Sequence, residues 1–334
     1  MYNILKSITA VPSPSGHERK CGELILSMIE PYVDEAHFDA MGNLIAVKRG
    51  NAKNPAKLML AAHMDELGLM VTHIDDHGFL RVTQIGGVRY PAIAYTEVLF
   101  ENGVKGIVVA GAQNGSGDWK QENMFVDIGA KDKKDAEKKI KIGDMAIYAP
   151  KLTRLMHRKI SGHALDDKIG CAIMIKALTD DTPCENDTYF VFTVQEEVGC
   201  RGSKTAAYSI APDWSVAFDV CSTGCAPGSK PMECRVGDGA AIKIRDSSVM
   251  CDVKVVNTLI KLAEEGGIKH QLEILEAGGT DTSSMQMAGS GSLAGCISIP
   301  TRYIHSGTEL CDMADADECL ALTKKLLATD LKNV

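Results

Sequence analysis

The stretch Tyr189–Gly199, YFVFTVQEEVG, indicates how this chain folds. It opens with an uninterrupted run of apolar or β-branched residues from Tyr189 to Val194, which is typical of a strand buried on both faces of a sheet. Glu196 and Glu197 follow at once, and Gly199 suggests that the strand ends there. Because uncompensated buried charge is costly, the pair indicates either two solvated acids at a strand terminus or two residues of one site.

The composition excludes several classes of function. The chain has 334 residues, of which 45% are hydrophobic and 24% charged, as in a soluble globular protein with one large or two ordinary domains. Its formal net charge of −8 argues against nucleic acid or an anionic membrane as a partner. The N-terminal segment is interrupted by Lys6 and ended by Pro12, so we do not expect a signal peptide.

The cysteines predict the cellular compartment. The chain contains 11 of them, an odd number, and no C-x-x-C motif. This usage is typical of free thiols in a reducing environment and therefore predicts a cytoplasmic protein. Cys221 and Cys225 could form a soft-metal or redox pair, although a four-residue spacing alone is weak support for one.

The outer parts of the sequence read as alternating helices and strands. Helices are predicted at residues 2–10 and from His17 to Ile29, and strands at Asn43–Lys48 and Lys57–Ala62. The same texture resumes at Ser161. We therefore expect an α/β domain with a mixed sheet between helical layers, formed by residues 1–68 and 161–334.

Residues 69–160 have a different texture, with many short β-like runs separated by turns such as Asn114-Gly115-Ser116-Gly117. Only Lys134–Lys139 looks helical. This segment predicts a small all-β domain inserted into the α/β domain. His73, Asp75 and His77 resemble a metal cluster there, but their place at a hairpin turn favours solvated turn residues.

Four further segments place histidine or carboxylate beside predicted strands. His63 and Asp65 follow the strand at Lys57–Ala62, and two residues so spaced point the same way, so one could bind a metal while the other orients it. Taken alone, most H-x-D pairs are structural. Asp166 and Asp167 precede a helix, where they could equally be N-cap acids.

The strand WSVAF, Trp214–Phe218, is expected to end at Asp219, and the strand Gly295–Ile299 leads to His305. In open α/β sheets, ligands bind beyond the carboxyl ends of the strands. Two histidines and at least three carboxylates gathered there are a donor set for two divalent cations that share a bridging carboxylate. Motifs for a serine hydrolase, a P-loop and an H-E-x-x-H metalloprotease are missing from the sequence.

The chain closely resembles the glutamyl or tetrahedral aminopeptidases, which are dinuclear metallo-aminopeptidases. The resemblance covers nearly the whole length. It rests on motifs that follow one another in the family's order: HMDELG at 63–68, ALDDK at 164–168, QEEVGCRG at 195–202, AFDV at 217–220, GGTD at 278–281 and IPTRYIHS at 299–306.

The resemblance implies a role for each matched residue. His63 and Asp219 would hold one metal, Glu197 and His305 the other, and Asp166 would bridge the two. Glu196 would be the general base, and Asp65 would orient His63. The Asp166–Asp167 peptide bond is expected to be cis. The metals would be two divalent ions per chain, Zn²⁺ or Co²⁺.

The family also implies short peptides as substrates and a homo-oligomer, a tetrahedral dodecamer built from dimers through the β-rich insert. Three positions depart from the family pattern: Lys168 replaces a usual arginine, His163 a common lysine, and Gly307 a common proline. None of them is a ligand, so they bear on details of the substrate pocket. Lys230 and Arg235 could favour acidic side chains, but solvation is the simpler reading.

The expected activity is removal of the N-terminal residue of a peptide by a metal-activated water. Within the same kind of site, a carboxypeptidase or an N-acyl-amino-acid deacylase stays open. A non-catalytic peptide-binding scaffold is disfavoured by the complete set of ligands and base. An endoglucanase would need two carboxylates flanking a glycosidic bond, and the acids here look committed to metal.

Overall fold

A computed structural model describes residues 1–110 and 120–334 of the chain. The strand predicted around Tyr189 is β12, Asp187–Thr193, and it lies inside a large mixed sheet. Its neighbours are a parallel strand that ends at His63 and an antiparallel strand at Leu44–Lys48. Phe190 and Phe192 are fully buried on one face of the sheet, while Val191 is buried on the other, as the uninterrupted apolar run predicts.

Within the described residues, eleven strands form the large sheet. They are β1 Glu35–Phe38, β2 Leu44–Lys48, β3 Lys57–His63, β10 Leu152–Arg154, β11 Lys159–Gly162, β12 Asp187–Thr193, β13 Trp214–Cys221, β14 Ala240–Arg245, β15 His270–Ile274, β16 Leu293–Arg302 and β17 Glu309–Asp312. The main path runs β1-β2-β12-β3-β13-β16-β17-β11-β10, and β14 pairs with β15 and β16.

The direction of the strands matters for the site. Strands β12, β3, β13 and β16 are parallel neighbours. Strand β11 runs the same way as β16, because each of them pairs antiparallel with β17. The carboxyl ends of all five strands therefore meet at one edge of the sheet.

Helices cover both faces of this sheet. The α-helices of the whole described chain are α1 Tyr2–Thr9, α2 Arg19–Ile29, α3 Tyr90–Ile93, α4 Lys133–Glu137, α5 Leu165–Thr179, α6 Arg201–Ile210, α7 Val253–Gly266, α8 Asp281–Gln286 and α9 Met313–Leu327. Helices α1, α2, α5, α7 and α9 share the larger core, and α6 and α8 pack on the opposite face. The predicted α/β/α arrangement is confirmed.

The inserted segment forms a closed antiparallel barrel. Its strands are β4 Gly68–Ile74, β5 Leu80–Ile85, β6 Glu97–Phe100, β7 Lys105–Ala110, β8 Met124–Asp127 and β9 Met145–Tyr148, in the order β4-β5-β8-β7-β6-β9. It has its own core, which confirms a separate small all-β unit. The domain boundaries stay predictions, and β10 within residues 69–160 pairs with the large sheet.

Several predicted elements differ from the structure. Strand β13 does not end at Asp219 but continues to Cys221, because Val220 and Cys221 stay paired with Ile299 and Pro300 of β16. Lys134–Lys139 is not the sole helical segment of the insert, since the short helix α3 begins at Tyr90 with Pro91 in its first turn. The turn predicted at residues 114–117 lies outside the described residues. Across residues 1–110 and 120–334, no helix is both long and apolar enough to span a bilayer.

Candidate metal centre

The residues predicted to form the site gather at the carboxyl edge of the sheet. His63 is the last residue of β3, and Asp219 lies near the end of β13. Asp166 lies at the start of α5, which follows β11, and Glu197 and His305 lie in the turns that follow β12 and β16. His63, Asp166 and Glu197 each offer a ligand atom within 4.8 Å of the other two.

Asp166 lies between the two histidines. Its Oδ1 is 3.1 Å from Nε2 of His63, and its Oδ2 is 3.5 Å from Nε2 of His305. The backbone N–H of Asp166 donates to Glu309 at 3.1 Å, and its peptide bond to Asp167 is cis, as expected. One carboxylate thus presents a different oxygen to each histidine, the arrangement required of a bridging ligand.

In both histidines, Nδ1 contacts a backbone carbonyl oxygen, and this contact determines which ring nitrogen donates a hydrogen bond to the backbone. Nδ1 of His63 lies 3.1 Å from the carbonyl oxygen of Asp65, and Nδ1 of His305 lies 3.1 Å from that of Gly87. A carbonyl only accepts, so each Nδ1 carries the hydrogen and donates it. Each Nε2 is therefore the ring nitrogen that faces the carboxylates, and it is the atom that binds a metal once it carries no proton.

Glu196 and Glu197 face different histidines although they are neighbours. Oε2 of Glu197 lies 3.5 Å from Nε2 of His305, whereas Oε2 of Glu196 lies 3.9 Å from Nε2 of His63. The strand ends before them, because Gln195 has a left-handed backbone with φ of 56°. The alternation of a regular strand is thus broken, and both acids reach one site.

The carboxylate of Asp65 holds the turn of the two glutamates. It accepts from the backbone N–H of Glu196 at 2.9 Å and of Glu197 at 3.1 Å, and from the Ser15 hydroxyl at 2.7 Å. Its distance to Nδ1 of His63 is 3.6 Å, longer than the contact that His63 makes with the backbone carbonyl of Asp65. Asp65 therefore positions the glutamates more directly than it positions the histidine.

The pKa values of several of the clustered carboxyl groups are raised, which indicates that their negative charges need a positive charge nearby. Burial raises the pKa of Glu197 and of Asp219 well above the ordinary value, and the nearby Asp166 raises both further. Burial likewise raises the pKa of Glu196, to about 8. For His63, burial lowers the pKa, but Asp166 and Asp65 outweigh it and raise the pKa well above 6.5. Nitrogen and oxygen donors crowded in this way fit divalent cations such as Zn²⁺ or Co²⁺.

Two residues that support the site were missed in the sequence. Glu309, at the start of β17, is buried and accepts from the backbone N–H groups of Asp166 and His305, at 3.1 and 2.9 Å. Gly87 supplies the carbonyl that receives Nδ1 of His305. The only sequence signal for Glu309 is its place four residues after His305.

Two residues that depart from the family pattern, Lys168 and His163, contact Glu66, which is not a predicted metal ligand. Nζ of Lys168 is 2.6 Å from Glu66 Oε1, and Nε2 of His163 is 3.3 Å from Glu66 Oε2, with all three side chains buried. Glu66 also accepts from the backbone N–H of Ser13 at 3.0 Å. A Cβ on Gly307 would lie 2.9 Å from the ring of Tyr148, which leaves little room for a larger residue.

Other residues considered in the sequence lie elsewhere. Asp75 accepts from the backbone N–H groups of His77 and Phe79, as expected of a hairpin turn. Cys221 does not pair with Cys225, because its sulfur lies 3.4 Å from that of Cys234. Instead, Cys225 accepts two hydrogen bonds from the guanidinium of Arg302. All eleven cysteines are free.

Comparisons with known proteins agree with this architecture. The family model described as M42 glutamyl aminopeptidase matches residues 42–322. A protein of Acetivibrio thermocellus, named for a proposed aminopeptidase activity, is 45% identical over 96% of this chain and 97% of its own length.

Two solved structures share the fold over nearly the whole chain. An aminopeptidase from the archaeon Desulfurococcus kamchatkensis superposes with a TM-score of 0.93 at 36% identity, covering 97% of this chain and 93% of its own. The TET1 peptidase of Pyrococcus horikoshii, described as assembling into a tetrahedron or a large octahedral shell, gives a TM-score of 0.87 at 30% identity, covering 98% of each chain. The chain therefore belongs to the M42 glutamyl aminopeptidase family and is a peptide hydrolase of the aminopeptidase class.

Proposed function

We propose that this aminopeptidase holds two divalent metal ions, Zn²⁺ or Co²⁺, and removes the N-terminal residue of short peptides. His63 and Asp219 would bind one ion, Glu197 and His305 the other, and Asp166 both. The observation that carries this proposal is the position of Asp166, whose two oxygens face Nε2 of His63 at 3.1 Å and Nε2 of His305 at 3.5 Å. Five ligands exceed what one catalytic ion with an open position needs.

The bound ions would supply Lewis acidity, lowering the pKa of a shared water towards neutrality and polarising the scissile carbonyl. The residues of the chain then divide the remaining work. Glu196 is the base in this proposal: its Oε2 faces His63 at 3.9 Å, and the metal-ligand assignment above leaves it uncommitted. It takes the proton of the water and returns it to the leaving amine.

The hydrogen bonds around Glu196 favour its assignment as the base and that of Glu197 as a metal ligand. The Asp65 carboxylate receives the backbone N–H groups of Glu196 and Glu197, so the base and its neighbouring ligand share one anchor. A fixed backbone limits the side chain of Glu196 to few positions, which is what proton transfer over hydrogen-bond distances requires. Asp65 is thus a positioning residue in the proposed mechanism.

We infer that the chain works as a shell-forming homo-oligomer in the cytoplasm. The TET1 peptidase of Pyrococcus horikoshii, described as a dodecamer and as assembling into a tetrahedron or a large octahedral shell, supports a tetrahedral dodecamer. In this proposal the β-barrel would be the dimerising unit. The eleven free cysteines favour a reducing compartment. Active sites that face the interior of a shell would admit short or unfolded peptides and exclude folded proteins.

The proposed direction of attack is tested with one short peptide prepared in three forms. The free peptide should lose residues one at a time from its N-terminus, and the C-terminally amidated form should be degraded equally. The N-acetylated form should remain intact, because the site needs a free and neutral α-amine. Mass spectrometry follows all three. Loss of C-terminal residues would instead identify a carboxypeptidase, and release of acetate a deacylase.

A further inference from the structure

The turn after the glutamate pair places a thiol against Glu196. The backbone N–H groups of Gly199 and Cys200 both donate to the carbonyl of Glu196, at 2.8 and 2.9 Å. Gly199 has φ of 122° and Cys200 has φ of 49°, so the chain folds back tightly. As a result, Sγ of Cys200 lies 3.2 Å from Oε1 of Glu196, on the oxygen that does not face His63.

A third ligand atom comes from helix α8. The carboxylate of Asp281 is buried, and its two oxygens are held by the hydroxyl groups of Thr193 at 2.6 Å and Ser203 at 2.5 Å. Ligand atoms of Glu196, Cys200 and Asp281 all lie within 4.8 Å of one another. Each hydroxyl uses one lone pair of Asp281, so further lone pairs stay available.

The charge of the region leaves room for another cation. The carboxylates near the proposed metal centre include those of Asp65, Asp166, Glu196, Glu197, Asp219 and Asp281. When all six are ionised they carry a formal charge of −6, against +4 for two divalent ions. Within this set, Glu196 and Asp281 have ligand atoms within 4.8 Å of Sγ of Cys200, so a cation bound beside the thiol would also contact both carboxylates.

We propose that Glu196, Cys200 and Asp281 form a third cation site, separate from the two-metal centre, which binds a thiophilic divalent ion such as Cd²⁺ or excess Zn²⁺. Thiolate favours these ions over harder ones such as Mg²⁺. On binding, Sγ of Cys200 forms the bond to the ion and releases its proton to solvent. The occupied site inhibits peptide cleavage because Glu196 is engaged by the ion, and this consequence rests on the proposed role of Glu196 as the base.

Binding is tested first, without reference to activity. Cd²⁺ is added to the oligomeric enzyme already loaded with its two activating ions, and the ultraviolet charge-transfer absorption of a cadmium thiolate is recorded together with the total metal content. We expect one additional Cd²⁺ per chain and a thiolate band, with the activating ions retained. Cys200→Ser should lose the band. Cys225→Ser, which removes the other cysteine that is not buried, should keep it.

Inhibition is tested second, with each variant normalised to its own rate without Cd²⁺. Cys200→Ser should need at least about tenfold more Cd²⁺ for half-inhibition than the wild type or Cys225→Ser. A thiolate band at Cys200 without inhibition would uphold the site and contradict the role of Glu196. If Cys200→Ser binds and is inhibited like the wild type, or if Cd²⁺ simply displaces the activating ions, the third site is refuted while the two-metal proposal is untouched.

Discussion

Nδ1 of His305 lies 3.1 Å from the carbonyl oxygen of Gly87, which joins the β-barrel segment to the metal centre. Gly87 lies just beyond β5 of the barrel, whereas His305 follows β16 of the large sheet. A Cβ at position 87 would lie 2.7 Å from Nδ1 and 2.8 Å from Cε1 of the same ring. The backbone thus approaches His305 as closely as a glycine permits, and it fixes which ring nitrogen faces the site.

The first prediction follows from this contact. Gly87→Ala should push the ring of His305 out of place and weaken binding of the metal that His305 holds by roughly 10–100-fold, the usual effect of disturbing a partner of a metal ligand. Competition with a chelator measures the affinity, and thermal unfolding shows whether the variant is folded. A folded variant with wild-type metal affinity would contradict the role assigned to this contact.

The second prediction separates the two neighbouring glutamates. Glu196→Gln should keep its metal content and lower turnover by roughly 10²–10⁴, the usual contribution of a positioned proton carrier. Glu197→Gln should instead lose metal affinity, because its carboxylate faces His305 at 3.5 Å. Elemental analysis and peptide cleavage are measured on both variants. Exchanged phenotypes would mean that base and ligand have been assigned the wrong way round.

The third prediction concerns the bridge. Wild-type enzyme should contain about two divalent ions per chain, Asp219→Ala about one, and Asp166→Ala fewer than one, because the bridging carboxylate serves both ions. Elemental analysis after gel filtration gives the three values, and Asp219→Ala is the matched control for loss of a single carboxylate. Full activity of the wild type with one ion per chain would refute the dinuclear centre.

The sequence predicted the frame of the site because its signals are local. The run Tyr189–Val194 is apolar on both faces of β12, and its outcome does not depend on distant residues. Glu309 and Gly87 could not be found this way, since their roles arise only when β17 and the barrel meet His305. The short strands β10, β11 and β17 were missed for the same reason.

At Asp219 a local signal was present in the sequence, but it predicted the wrong end for the strand. A carboxylate normally marks the end of an apolar strand, and the strand was expected to stop there. Instead β13 continues for two residues with the acid buried inside it. Residues that break a local pattern in this manner tend to be functional ones. The free-energy cost of burying such a carboxylate is offset by a ligand or by a partner residue that is distant in the sequence.

The fourth prediction concerns the buried Glu66–Lys168 pair. Burial raises the pKa of Glu66, but Lys168 and His163 outweigh burial and lower it to about 2 from 4.5. A lowered carboxyl pKa stabilises the fold above the unfolded value and loses that effect as the pH falls towards 2. At 1.36 kcal/mol for each pKa unit, the contribution at neutral pH is about 3 kcal/mol.

Glu66→Gln should therefore lower the free energy of unfolding by about 3 kcal/mol or more at pH 7, because it leaves the buried ammonium of Lys168 without a counter-charge. The difference from the wild type should shrink as the pH falls below about 4.5, where the carboxyl of the unfolded chain becomes protonated. Urea unfolding at several pH values measures this. Lys168→Arg is the control that keeps the charge, and it should lose much less stability.

The last prediction concerns assembly. Two apolar side chains of the barrel are exposed, Tyr95 with 61% and Ile107 with 44% of its surface accessible. The backbone N–H of Tyr95 donates to the carbonyl of Val108, so the two side chains belong to neighbouring segments. If the barrel forms a dimer, burial of Tyr95 and Ile107 in the interface stabilises that dimer. A charged side chain introduced at the same place would lose its hydration without gaining a partner of opposite charge. Ile107→Lys should then reduce the mass measured by light scattering, while Ile107→Leu should leave it unchanged. A wild-type chain that is monomeric with its metals bound, or an Ile107→Lys variant of unchanged mass, would exclude this part of the barrel as the dimer contact.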